Sequence, residues 1–196
     1  MVLNNLKVSL KAAMILLLGT YLVACSTDND FESIKRAESH VLMLAIGANQ
    51  HKVFSRLNDY SWLDENMETL LSNEIIPGSM LKREEFTGKA KILMVWGGDV
   101  RLYGDKGSNH QLGVIEYPVP KRHCFALVKG ITEANAWKER VLRVGFKDGD
   151  ALLLTEGERE SAGKEFNKES LSADIKSFCN ILSPEMKPVP LKFYFK

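Results

Sequence analysis

Apolar side chains recur at steps of three and four from Phe31 to about Leu57: Ile34, Ala37, Val41, Leu44 and Ala48 follow one another, with Phe54 near the far end of the same stripe. The spacing predicts an amphipathic helix of roughly seven turns, a spine for a small domain. Tyr60 to Ile76 reads as a loop and then a short helix with Leu70 and Leu71 inward, ended by Pro77-Gly78. After that the period changes to two. Lys91 to Trp96, Asp99 to Tyr103 and Gln111 to Tyr117 have strand-like patterns. The paired Gly97-Gly98 predicts a bend or bulge between the first two, and residues 99–117 form a hairpin, with Pro118 and Pro120 expected to break its second strand.

Further along, Lys121 to Lys129 has the composition of a helix that carries Cys124. Val141 to Phe146 and Ala151 to Thr155 flank Lys147-Asp148-Gly149-Asp150, whose Asp-Gly pair is a hairpin signal. Glu156 to Lys168 is charged and contains glycine, so it reads as an exposed loop. Leu171 to Leu182 is expected to be a helix presenting Cys179. In the closing strand Leu191, Phe193 and Phe195 alternate onto one face. This order of elements predicts an α+β fold, a long N-terminal spine helix packed on a mainly antiparallel sheet.

The first 24 residues do not fit that domain. They hold Lys7, Lys11 and no acid, then an apolar run from Ala12 to Leu18, then Leu22-Val23-Ala24-Cys25. That order is the order of a secretory signal, and the tetrapeptide resembles the lipobox of bacterial lipoproteins. The resemblance implies a signal peptide over 1–24, lipid on Cys25, a tether over 25–30 and a single globular domain over 31–196. It also implies attachment to a membrane of the cell envelope, the outer membrane because Ser26 and not Asp follows the cysteine. The run from Leu10 to Ala24 is shorter than the ~20 apolar residues a membrane span needs, and Lys11 interrupts it.

Composition narrows the reading. At 45% hydrophobic and 26% charged, the chain is apolar enough to bury a core and too polar to be a polytopic membrane protein. Loss of the first segment removes two of 26 basic residues and none of 25 acidic ones, leaving close to one net negative charge. Such a balance offers no footprint for nucleic acid. With Cys25 assigned to the anchor, Cys124 and Cys179 form an even pair in a compartment that permits disulfides. They are expected to be bonded, the alternative being two buried free thiols.

A search for chemistry turns up no convergent site. His40, His51, His110 and His123 include no H-E-x-x-H pair, and the eleven residues from His40 to His51 span ~16 Å of helix, too far for one metal ion. His123-Cys124 is a poor thiol-imidazole dyad, since neighbouring helical residues point about 100° apart. Asp148, Asp150 and Glu156 faintly resemble a calcium loop, but the remaining ligand positions hold Leu and Thr, and a tight hairpin turn explains Asp148-Gly149 better. The sequence has no nucleophile elbow, phosphate loop or dinucleotide fingerprint. Trp62, Trp96, Trp137, Tyr60, Tyr103 and Tyr117 are scattered through different elements, and packing is the expected use of most of them. The expectation is a protein without catalytic residues, cofactor or metal.

The order of pieces nevertheless resembles the globular domain of type IVb pilins, the group of the toxin-coregulated, bundle-forming and conjugative thin-pilus pilins. The resemblance rests on Tyr60, Leu63, Leu70 and Ile76-Pro77-Gly78-Ser79-Met80, then Gly97-Gly98-Asp99-Val100, Val114-Ile115-Glu116-Tyr117 and Val119-Pro120-Lys121-Arg122-His123-Cys124 with Leu127-Val128 behind it, and finally Cys179 before Phe193-Tyr194-Phe195. It covers roughly residues 31–196. It implies a pilin-like fold with one disulfide and protein-protein contacts in a type IV pilus, adhesion or conjugation and secretion system. The N-terminus departs from that group: no acid precedes Asp28, and lipidation of Cys25 would discard the helix that builds a filament core. The competing expectation is a periplasmic or surface lipoprotein that binds a small ligand or inhibits an enzyme.

Overall fold

The computed structural model describes residues 30–63, 76, 80–83, 90–92, 94–134, 140–146, 151–164, 166–182 and 188–196. The chain divides into two compact units, 1–34 and 35–196. In the first, the described residues 30–34 are helical. All that follows concerns the second.

That unit begins in helix α1, which runs through residue 54. Ala37, Val41, Leu44 and Ala48 are each fully buried, as their spacing predicts, and Leu42 and Ala45 widen the inward face. Phe54 departs from the expected stripe and is 83% exposed. The helix stops just beyond it. The Leu57 N–H bonds the Lys52 carbonyl and the Arg56 N–H bonds the Val53 carbonyl, a Schellman closure with Arg56 in the left-handed region at φ 54°.

A two-stranded ribbon pairs β1 (Leu81–Arg83) with β2 (Ala90–Ile92). The expected strand over 91–96 is therefore short: Val95 and Trp96 lie in a turn, and Gly97 and Gly98, at φ 77° and 94°, supply the bend. The main sheet has β3 (Arg101–Gly104), β4 (Gly113–Val119), β5 (Val141–Phe146), β6 (Leu152–Leu153) and β7 (Val189–Phe195). Their order is β3-β4-β7-β5-β6, with every neighbouring pair antiparallel. Ile115 faces Phe193 and Tyr117 faces Leu191 across the β4–β7 ladder, and all four are fully buried. Each such side chain contributes about 1.5–3 kcal/mol when taken out of water.

Pro118 does not break β4, contrary to expectation. It sits opposite Pro190, beyond the last residues that pair β3 with β4 and β5 with β7, so neither missing N–H deprives the ladder of a donor. Helix α2 (Lys121–Glu133) follows at once, with Pro120 at its N-cap. Gly130 of α2 lies so close to the Glu38 carboxylate of α1 that a β-carbon there would collide with it. Residues Glu156–Ser161, expected to be loop, form a short helix α3. Thr155 caps it by accepting from the Glu158 N–H, and its inward residue is Arg159, 3% exposed. Helix α4 (Lys168–Ile181) is capped by Asn167 and contacts α2. The hairpin turn 147–150 lies outside the described residues, although the β5–β6 pairing it was expected to serve is present. The expected helix within 64–75, with Leu70 and Leu71, lies outside them as well.

Candidate interaction surface

Cys124 of α2 and Cys179 of α4 are joined by a disulfide, with Cα atoms 5.8 Å apart. Both are buried, so the bond clasps the two helices from within. The same bond removes the Cys124 thiol from any dyad with His123. Cys25 lies outside the described residues.

His123 is buried, and its ring stacks on Trp96 at 5.1 Å between centroids with planes 13° apart. The Arg122 Nε donates to its Nε2 at 3.0 Å. Trp96 also meets Tyr117 edge-on at 6.3 Å. The Tyr117 hydroxyl shares a hydrogen bond with His40 Nδ1, 3.4 Å away. Burial pushes the Tyr117 phenol above its ordinary range. It pushes the half-buried His40 imidazole below its own, helped by the Arg36 charge. This group ties α1, the Gly97-Gly98 turn, β4 and α2 together by packing.

At the end of the central strand β7, Tyr60, fully buried, packs edge-on against Phe195 at 5.1 Å and takes a hydrogen bond from Asn49. The Lys52 ammonium sits 4.2 Å above its ring. Burial, then the neighbouring Lys196 charge, lowers the Lys52 pKa. Trp62 leans on His51 at 4.5 Å. Trp96 and Tyr117 thus pack in one group and Tyr60 and Trp62 lie in another, while the Tyr103 hydroxyl donates to Glu116 at 3.4 Å. Trp137 lies outside the described residues. Among the described residues no group of three or more His, Cys, Asp or Glu is placed to hold a metal ion, and no helix is long and apolar enough to cross a membrane.

What distinguishes the surface is the outward side of α1. Ser39, Met43, Ile46, Gly47, Gln50, Val53 and Phe54 follow one another there at helical spacing without a charged side chain among them. Met43 is 40% exposed and Val53 62%. Arg36 and Arg56 bound the stripe. Its 16 residues extend about 24 Å, and its middle residue is a glycine, which lets another backbone approach closely. A solvated helix face ordinarily carries Lys and Glu. The stronger inward periodicity of the same helix masks this second stripe in the sequence. The absence of any charge between Arg36 and Lys52, apart from Glu38, was the available signal for it.

No family model matches the chain, and no curated protein matches it. Among solved structures it is similar to the crystal structure of a type IV b pilin from Salmonella typhi, at a TM-score of 0.55 and 13% identity, over 82% of this chain and 97% of that one. The class is therefore that of the fold: α+β, pilin-like, with α1 on a five-stranded antiparallel sheet and one disulfide. At 13% identity the likeness establishes architecture and nothing finer.

Proposed function

We propose that this chain is a lipid-anchored protein of the cell envelope that acts without catalysis, through protein contacts, in a type IV pilus, adhesion or conjugation and secretion system. The observation that carries the reading is the fold likeness to a type IVb pilin across nearly the whole of that chain. The disulfide between Cys124 and Cys179 supports an oxidising compartment. Leu22-Val23-Ala24-Cys25 supports lipidation of Cys25 after removal of residues 1–24, which leaves 25–30 as tether and 31–196 as the domain, at the outer membrane. With the filament-core helix discarded in this way, the role is that of an accessory subunit or adhesin and not of the main filament subunit.

The surface on offer is the uncharged outward face of α1, and the occupant it suits is a helix of a pilin-type subunit. Capture of pilus components from the parent organism by the purified mature protein, lost when Val53 and Phe54 are both changed to Asp, is the expected result. Absence of capture, together with unchanged piliation and adhesion on deletion of the gene, would overturn the reading. For the anchor, palmitate labelling is expected in the wild type and absent in Cys25→Ala. Labelling that survives the change would refute it.

A further inference from the structure

A cavity of about 500 Å³ opens beside α3. Its lining joins the last turn of α2 through Thr132, the end of β6 through Leu154, and α3 through Glu156 and Glu160, with Phe166 on the approach to α4. The volume is that of a small-molecule site, far more than a bare ion needs. Leu154 is 3% exposed and, with Phe166, gives the cavity an apolar side.

The polar side is built to accept hydrogen bonds. Glu156 and Glu160 are four residues apart and therefore on one side of α3, where like charges repel. Three cations of the flanking elements are matched elsewhere, and Lys164, four residues beyond Glu160, is exposed. Arg143 lies 3.9 Å from Glu158, Arg159 pairs with Asp174 at 2.8 Å and Lys129 with Glu133 at 3.5 Å. Among the described residues neither Glu156 nor Glu160 has an ion-pair partner. Thr132 gives its hydroxyl proton to the Lys129 carbonyl at 2.7 Å, so its free lone pairs accept too. Thr155 Oγ1 is engaged by the Glu158 N–H.

Negatively charged hydrogen-bond acceptors beside an apolar wall and one aromatic ring call for a cation with several N–H donors on an aliphatic stem. We propose that this cavity binds an aliphatic primary ammonium group, carried either by a free polyamine or by a lysyl side chain of another protein. The inference goes beyond the pilus reading and does not depend on it. Failure of the pull-down leaves it standing, and its own failure leaves the pull-down unaffected.

The test is equilibrium dialysis of the purified full-length chain in mild detergent against two probes, 1,5-diaminopentane and Nα-acetyl-lysine methylamide, with 1-pentanol as the neutral control. Saturable binding of at least one amine with Kd below about 1 mM is expected, weakened at least about tenfold in E156Q/E160Q. The variant's thermal unfolding should be unchanged, because both carboxylates are exposed. E158Q, which alters a glutamate paired away from the cavity, should bind as the wild type does. Saturation by the diamine alone assigns the site to free polyamine, and saturation by the lysyl probe assigns it to a protein side chain. No saturable binding of either amine, equal binding of pentanol, or undiminished binding by E156Q/E160Q overturns the proposal.

Discussion

Gly113 and Phe195 are direct partners across the β4–β7 ladder, and the Phe195 ring occupies the space that a side chain on Gly113 would need. Tyr60 then packs edge-on against the same ring. Gly113→Ala is therefore an overpacking change at a fully buried site, with a cost of about 1–3 kcal/mol. Urea unfolding monitored by circular dichroism measures it. An unchanged midpoint would show that the ring is free to move aside.

The disulfide closes a loop of 55 residues, for which the chain-entropy relation gives about 4 kcal/mol. Reduction, or Cys124→Ala with Cys179→Ala, should lower stability by an amount of that order, a large share of what a domain of this size possesses. Denaturant unfolding with and without reductant tests this. Equal midpoints in the two conditions would contradict it.

His40 has a folded-state pKa below its ordinary 6.5, because burial and then Arg36 disfavour the charged ring. The unfolded chain accordingly takes up the proton first as pH falls. Its contribution to stability is intact above about pH 6.5 and is lost progressively below that. The urea midpoint is expected to fall between pH 7.5 and 5.5, and to fall less in His40→Asn. An identical decline in both proteins would assign the effect to other groups.

Arg159 is 3% exposed, while its partner Asp174 remains half in water. Removing the partner strands a buried cation, whereas replacing the cation with an apolar side chain does not. Asp174→Ala should thus cost about 1–3 kcal/mol and Arg159→Met clearly less. Thermal unfolding of the two variants, ranked in the opposite order, would count against this account of α3.

Arg56 occupies the position of a Schellman closure where glycine is ordinarily found, at φ 54°. Arg56→Gly relieves that conformation and should raise stability by up to about 1 kcal/mol. A lower melting temperature would mean that the arginine side chain contributes something the backbone does not reveal.

Where a single periodicity governs a segment, the sequence is a good guide to this fold. Ala37, Val41, Leu44 and Ala48 point inward as their spacing requires, and Leu191, Phe193 and Phe195 share one buried face. The errors occur where two demands compete. Pro118 looks like a strand breaker until Pro190 is found opposite it, a long-range pairing that no local window contains. Phe54 continues the apolar series in sequence but falls past the inward face just as the helix closes at Ser55 and Arg56. The α3 segment hides its amphipathic character because its inward residue is an arginine, and Gly157 weakens the helical signal further. That segment is also the one beside the cavity, which is why the cavity was not legible. The outward stripe of α1 was readable in principle, as a run without charges.

The strand that comes last in sequence is the one at the centre of the sheet, between β4 and β5. Until it arrives, the β3–β4 and β5–β6 pairs have no strand between them to join them into one sheet. Completion of the sheet is thereby deferred until residues 189–195 are present, whatever the earlier strands have already paired with. Chains cut short before Val189 should accumulate as protease-sensitive fragments, and a peptide spanning β7 supplied from outside is the natural reagent for finishing them.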